Sequence, residues 1–310
     1  MTKVFIDGSS GTTGLRIRER LSARRDLQLM EISELLRKDD AARTRFLNEA
    51  DVAFLCLPDA AAKEAAAMVT NPDTVIIDTS TAHRVNDAWD YGFPELSGRR
   101  EKIKASHRIA NPGCHASGFI SLVAPLVENG LIAPDTALSC FSLTGYSGGG
   151  KNMIADYETP ENAEELQAPR MYALSQSHKH LPEMCKLCGL ETAPIFSPIV
   201  SDYYAGMEVV VSLFGEQLRG SMADIKALYS SYYAGGLVKF VDAMDEDGFL
   251  SAGRLTGYDN MLLGVFGNAE RITLVSRFDN LGKGASGAAI QNMNLVLGLD
   301  ETTGLNLLEV

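Results

Sequence analysis

Residues 3–24 read KVFIDGSSGTTGLRIRERLSAR. KVFID (3–7) is a short apolar run of the kind a buried strand carries. GSSGTTG (8–14) follows, and LRIRERLSAR then sets Leu15, Ile17 and Leu21 among basic residues, as in an amphipathic helix. Strand, glycine loop and helix in direct succession open a dinucleotide-binding βαβ unit. Gly8, Gly11 and Gly14 let the backbone turn tightly, approach a pyrophosphate and pack helix on strand, while the N–H groups of the helix start face the phosphate. The spacing G-x-x-G-x-x-G departs from the usual G-x-G-x-x-G, so its weight comes from its place after the first strand. Ser9, Ser10, Thr12 and Thr13 complete the candidate cofactor loop.

Working outward, strand-like runs recur at LQLMEI (27–32), DVAFLCLP (51–58, ended by Pro58) and TVIIDTS (74–80), with an Ala-rich helix at 60–69. Strands alternating with helices predict a parallel sheet with right-handed crossovers. The second strand runs into Glu31-Ile32-Ser33, followed by Arg37 and Lys38. Ser33 with a nearby cation suits the 2′-phosphate of NADP better than the ribose hydroxyl of NAD, although two cations can also merely solvate a loop. After about residue 118 the texture changes to longer strand-like runs at 137–148, 206–215, 236–243 and 271–280, with the clearest helix at 221–234 and another in the tail at 284–299. The expected fold is an α/β Rossmann domain followed by an α+β domain with a mixed, largely antiparallel sheet.

Bulk properties narrow the function. The chain has 310 residues and a formal net charge of −12, which argues against nucleic acid as a partner but not against a small anion held by backbone N–H groups. No apolar run approaches a membrane span, and the first residues lead into a strand rather than a signal peptide. Five irregularly spaced cysteines suggest reduced thiols and a cytoplasmic setting rather than a disulfide framework.

The stretch IANPGCHASG (109–118) carries the chemistry. Pro112 and Gly113 stop a strand, which places Cys114 at or beside a helix start, where unpaired N–H groups favour a thiolate. A small buried thiol at a turn is the plain alternative. His115 is next in sequence, but neighbouring helical side chains point apart, so it is a poor partner for direct proton transfer. SHKHLPEMCKLCGL (177–190) holds His178, His180, Cys185 and Cys188. A zinc site is one reading of that group. An apolar helix face accounts for both cysteines more simply, so no metal is expected, and a histidine is left to serve Cys114 as acid and base.

Taken together, GSSGTTG, DTSTAHRV (78–85), YGFPEL (91–96), NPGCHASG (111–118), HKHLPE (178–183) and DNLGKGASGAAIQNMN (279–294) give a near end-to-end resemblance to the N-acetyl-γ-glutamyl-phosphate reductases, in their shorter form. These stand within the aspartate-semialdehyde dehydrogenase-like superfamily. The resemblance implies an NADP(H)-dependent, cytoplasmic homodimer or homotetramer. It implies a Rossmann domain of residues 1–112 completed by 284–310, and a catalytic and oligomerisation domain of 113–283. Its chemistry makes Cys114 the nucleophile toward an acyl phosphate and His178, or less favourably His180, the acid–base. Asn111 contacts the nicotinamide end of the cofactor or makes the turn, and Pro58 and Asn280 join the cofactor set. By charge and position, Arg84, Lys151 and Lys283 are candidates for the substrate carboxylate and phosphate. Two competing readings are an aspartate-semialdehyde dehydrogenase and a non-catalytic NADP sensor. The sensor would have no use for an intact Cys114 motif.

Overall fold

The computed structural model describes residues 1–159 and 164–309, which divide into two compact units. The first unit comprises residues 1–94, 98–112 and 285–305; the second comprises 95–97, 113–284 and 306–310.

In the first unit, β1 (Thr2–Asp7), β2 (Leu27–Met30), β3 (Val52–Leu55), β4 (Val75–Asp78), β5 (Asp90–Tyr91) and β6 (Arg108–Ala110) form one parallel sheet in the order β2-β1-β3-β4-β6-β5. Helices α1 (Thr12–Ser22), α2 (Asp40–Glu49), α3 (Asp59–Met68) and α4 (Arg99–Lys104) supply the crossovers. Successive strand residues point to opposite faces, and both faces are apolar, as parallel sheets require. Val4, Ile6, Val52, Phe54 and Ile77 pack on one side with Ile17 and Leu21 of α1. Phe5, Ala53, Leu55 and Ile76 pack on the other with Leu47 of α2 and Ala65 of α3. The tail helix α9 (Gly287–Val296) enters the first of these clusters through Ala289, Ile290, Met293 and Leu295.

The third strand stops at Leu55 and the fourth at Asp78, short of the expected ends, because the chain turns as soon as its ladder partners run out. Helix α2, which the sequence pattern did not suggest, is started by Asp39, whose carboxylate accepts from Ala42 N–H at 2.7 Å.

The second unit carries a seven-stranded sheet of β7 (Ser139–Gly145), β8 (Arg170–Met171), β9 (Ile195–Ser201), β10 (Met207–Phe214), β11 (Val238–Phe240), β12 (Met261–Gly267) and β13 (Arg271–Phe278). Its order is β11-β12-β13-β10-β7-β9-β8, antiparallel except for β11–β12 and β7–β9. Helix α5 (Cys114–Glu128) is predominantly apolar and buried on every side from His115 to Leu126, so it lies within a core rather than at the surface. Gly118 of α5 lets it approach the sheet, since a Cβ there would stand 2.4 Å from Val209 and 2.7 Å from Ser276 Oγ. The remaining helices are α6 (Gly150–Glu158), α7 (Leu181–Cys188) and α8 (Met222–Tyr232), the last opened by a Ser221–Asp224 capping box. Among the described residues, no helix is long and apolar enough to cross a membrane.

Candidate active site

In the first unit the glycine loop joins β1 to α1. Gly8 has φ +86°, and a Cβ there would meet Cys56 O at 2.3 Å, so both conformation and space demand glycine. A Cβ on Gly14 would meet Gly8 O at 2.4 Å, which explains that glycine by packing alone. Gly11 differs. It caps α1 with φ −74°, and its nearest neighbours to a Cβ would be Gly8 O at 3.5 Å and Cys56 O at 3.8 Å. The protein itself leaves that space open. No side chain caps α1, no acidic residue stands in its first turn, and Thr12 Oγ1 is buried with no hydrogen-bond partner. Open donors and an open backbone at a helix start fit the phosphates of a dinucleotide.

A cleft of about 520 Å³ runs beside this loop, lined among others by Gly8, Ser9, Ser10, Arg18, Glu31, Arg37 and Lys38. β2 ends at Met30, two residues short of the expected Ile32, so Glu31 directly follows the strand. Its carboxylate is engaged by Arg18 of α1 at 2.6 Å. Arg37 pairs with Glu34 at 2.8 Å, and Ser33 is exposed at the start of the same turn. Pro58 is exposed as the N-cap of α3. Asn111 follows β6; its amide donates to Ala285 O at 3.1 Å and its Oδ1 accepts from Asn292 at 3.2 Å.

In the second unit Cys114 is the first residue of α5. Gly113, the N-cap, has extended backbone and offers no side-chain cap, so the field of the helix start falls on the thiol. Cys114 is partly exposed, and among the described residues no disulfide forms. Gly113 N–H donates instead to Glu183 Oε1 of α7 at 2.8 Å, which ties the thiol's turn to the HKHLPE segment. That segment is not extended. It is a turn in which Leu181 N–H bonds His178 O and His180 N–H bonds His178 Nδ1, and it leads directly into α7. The two rings stand perpendicular, with centroids 4.7 Å apart, and both face His115, at 5.7 Å for His178 and 5.6 Å for His180.

His115 is itself buried, with Nδ1 2.6 Å from Ser142 Oγ and Nε2 2.7 Å from Tyr172 Oη. Burial pushes its pKa down to about 3, with His178 and Lys179 adding to the fall, so it is a neutral imidazole that donates through one nitrogen and accepts through the other. Tyr172 is pushed up by burial and then by the charge of Cys114, which marks it as a neighbour of the thiol. Tyr172 and the part played by His115 were not visible in the sequence. A tyrosine six residues before His178 has no motif of its own. Cys188 lies buried on α7 with Leu181 and Met184, and burial raises both it and Cys185. Among the described residues, no three His, Cys, Asp or Glu side chains are grouped to hold a metal ion.

The cations expected at the substrate have other surroundings. Arg84, in the first unit, donates from Nε to Asn111 O at 2.9 Å and from Nη2 to Thr79 O at 3.0 Å, which braces the turn after β6. Lys283, in a single π-helical turn (Gly282–Ser286), holds both oxygens of Glu95 at 2.8 Å, with each side chain 1% exposed. Such a pair resists the loss of either partner, since the other is left as an unpaired buried charge. The same turn seats the thiol, because a Cβ on Gly284 would stand 3.0 Å from Cys114 Cβ. Asn280 donates to Ser147 Oγ at 3.0 Å and accepts from Gly206 N–H at 2.9 Å, latching the loop after β7. Lys151 is exposed in the first turn of α6.

Comparison with known proteins adds an independent line. Residues 9–106 match the family described as semialdehyde dehydrogenase, NAD binding domain, and residues 114–280 match semialdehyde dehydrogenase, dimerisation domain. An N-acetyl-gamma-glutamyl-phosphate reductase of Rhizobium leguminosarum bv. trifolii is 47% identical over 305 residues, covering 95% of this chain and 98% of its own. One from Brucella ovis is 46% identical over 306 residues, covering 96% and 99%. Among solved structures, aspartate semialdehyde dehydrogenase II of Vibrio cholerae complexed with ASA superposes with a TM-score of 0.70 at 15% identity, over 96% of this chain and 98% of that one. Aspartate semialdehyde dehydrogenase with NADP from Candida albicans gives 0.66 at 16%, over the same shares. At such identities the structures speak for the fold.

Proposed function

The chain belongs to the semialdehyde dehydrogenase family, and on that premise we propose that it reduces N-acetyl-γ-glutamyl phosphate to the semialdehyde with NADPH, through a thioester on Cys114. The observation that carries this reading is the thiol at the uncapped start of α5, tied through Glu183 to the turn that holds His178 and His180. The substrate follows the relatives at 46–47% identity rather than the aspartate enzymes at 15–16%.

The Cys114 thiolate attacks the acyl carbon and the carbonyl oxygen takes the charge; as the carbonyl re-forms, the C–O bond to phosphate breaks, its electron pair stays on the bridging oxygen of the departing phosphate, and a thioester remains on Cys114. N–H groups at the start of α5 hold the oxyanion. Bound NADPH supplies the hydride that takes the thioester to the aldehyde level. Return of the carbonyl then expels Cys114 sulfur and restores the thiolate. His178, with His180 beside it, takes the thiol proton at the outset and steadies the developing charges. The residues of the glycine loop, with Arg37 and Lys38 at the cleft, hold the cofactor, and Arg18 neutralises Glu31 so that an acidic residue after β2 does not repel a 2′-phosphate. A cytoplasmic setting and self-association through the second unit complete the proposal.

The test is NADPH oxidation with N-acetyl-γ-glutamyl phosphate and with β-aspartyl phosphate, side by side. Preference for the acetylated substrate, with an acyl adduct on Cys114 trapped when the reduced cofactor is withheld, supports the reading. Preference for aspartyl phosphate, or no turnover of either, overturns it.

A further inference from the structure

We propose that Arg170 reads the α-carboxylate of the substrate, and so sets which acyl phosphates the enzyme accepts. The proposal rests on the substrate assigned above. Arg170 opens β8, the short edge strand paired with β9, where Arg170 lies opposite Val200. Val200 in turn lies opposite Thr144 of β7. Residues of one row across a sheet point to one face. Val200 and Thr144 are buried on the face that α5 covers, so Arg170 points to that face as well. Tyr172 is two residues on and shares it. Its N–H bonds Pro198 O, two rows over and so on the same face as Val200, and its hydroxyl bonds His115, the residue after Cys114. Arg170 therefore stands beside the thiol's own neighbour, inside the second unit.

Its guanidinium is held and incompletely used. Nη2 donates to Tyr157 Oη at 3.0 Å, and Cζ lies 5.4 Å from the centre of the same ring. Tyr157 is fixed by stacking on Tyr146 at 4.7 Å, just after β7. Yet Arg170 Nε is buried without a hydrogen-bond partner. Among the described residues, no carboxylate lies within ion-pair distance of Arg170. A buried N–H of a permanent cation with no acceptor is costly, and a planar fork fixed from one side is set to take a carboxylate from the other. The cations named from the sequence are placed differently. Arg84 braces main-chain carbonyls, Lys283 is closed onto Glu95, and Lys151 is exposed.

The substrate carries two anionic groups, and spacing separates them. The phosphate is bonded to the carbon that Cys114 attacks, so it stays at the thiol and the start of α5. The α-carboxylate stands at the far end, beyond three further carbons. Arg170 is displaced from Tyr172 by one strand repeat, roughly 7 Å, which suits the far group.

The experiment compares wild type, Arg170→Met and Arg170→Lys on N-acetyl-γ-glutamyl phosphate and on 4-acetamidobutyryl phosphate, the same acyl phosphate without its α-carboxylate. Arg170→Met is expected to raise KM for the full substrate on the order of 10- to 100-fold with KM for NADPH unchanged, and to match wild type on the truncated one. Arg170→Lys keeps the charge but loses the planar contact. It should fall between the two on the full substrate, and it decides the matter if the Met variant does not fold. Equal losses on both substrates place Arg170 at the phosphate or in the scaffold and overturn the assignment. Undiminished kcat/KM of Arg170→Met on the full substrate, with wild type active, overturns it alone. No wild-type turnover of the full substrate overturns the substrate reading and this assignment with it.

Discussion

The cysteines of the chain differ in their surroundings. Burial, with Asp78 and Asp7 nearby, pushes Cys56 up to about 12, and burial drives Cys140 and Cys188 upward too. Cys114 instead begins a helix with no capping side chain. Cys114→Ser keeps that geometry but not the easily formed anion, so turnover should fall on the order of a thousand-fold or more. NADPH binding by fluorescence and the melting temperature should stay where they are; near-normal turnover would remove the nucleophile from the scheme. His115 gives a second prediction. Its folded pKa of about 3 lies below the ordinary 6.5, so the unfolded chain binds the extra proton first. Stability owed to the neutral ring is complete above pH 6.5 and drains away as pH falls from there toward 3. Melting curves of His115→Asn should therefore show a shallower acid slope across that window, and a slope equal to wild type would deny the buried neutral state. The place of Cys114 at a helix start was legible because Asn-Pro-Gly stops the strand before it. Tyr172 and Arg170 were not, because β8 has two residues and carries no period to read.

At the level of elements, the start of α1 separates glycines that packing demands from one beside which a Cβ would find room. Adding a methyl at Gly14 drives a Cβ to 2.4 Å from Gly8 O and 3.0 Å from Ser9 Cα, both backbone. Gly14→Ala should cost about 1–3 kcal/mol and lower the melting temperature by several degrees. Gly11 already has a φ that alanine adopts, and its Cβ would meet nothing closer than 3.5 Å. Gly11→Ala should melt like wild type and yet bind NADPH on the order of tenfold more weakly, because the methyl occupies the approach of the pyrophosphate. Calorimetry and a fluorescence titration on the two variants check this. Equal damage to stability would mean that Gly11 is there for packing. The loop was readable from three glycines between an apolar run and an amphipathic helix. The acid after β2 was not, since where a four-residue strand stops is set by ladder partners on β1 rather than by its own sequence.

For the whole molecule, the seven-stranded sheet poses a question of burial. Cys140, Ser142 and Thr144 of β7 face α5, while Phe141 points to the other face and is 48% exposed. The rows across the sheet put Ile195 of β9 and Phe214 of β10 on that same face, 64% and 61% exposed. Part of it, around Leu262 and Val275, is covered by Met244 and Leu255; the stretch across β10, β7 and β9 presents these large apolar side chains to solvent. Clustered exposed apolar groups on a rigid sheet mark an association surface. Residues 114–280 match a family described as a dimerisation domain, so the occupant expected under the proposed self-association is a second copy. Phe141→Asp places a charge in the centre of that face, so sedimentation velocity should show wild type as a dimer or larger and the variant at monomer mass. A wild-type protein that sediments as a monomer at micromolar concentration would end the proposal. Cys114, His115, Tyr172, His178 and His180 all lie in the second unit of one chain, where His115 bonds Tyr172 and Ser142 and His180 bonds His178, so the separated subunit should keep its thiol chemistry. Cys114 alkylation by iodoacetamide at the same rate in Phe141→Asp and wild type is the expected result. A large fall would show that the second copy holds the thiol's surroundings in place.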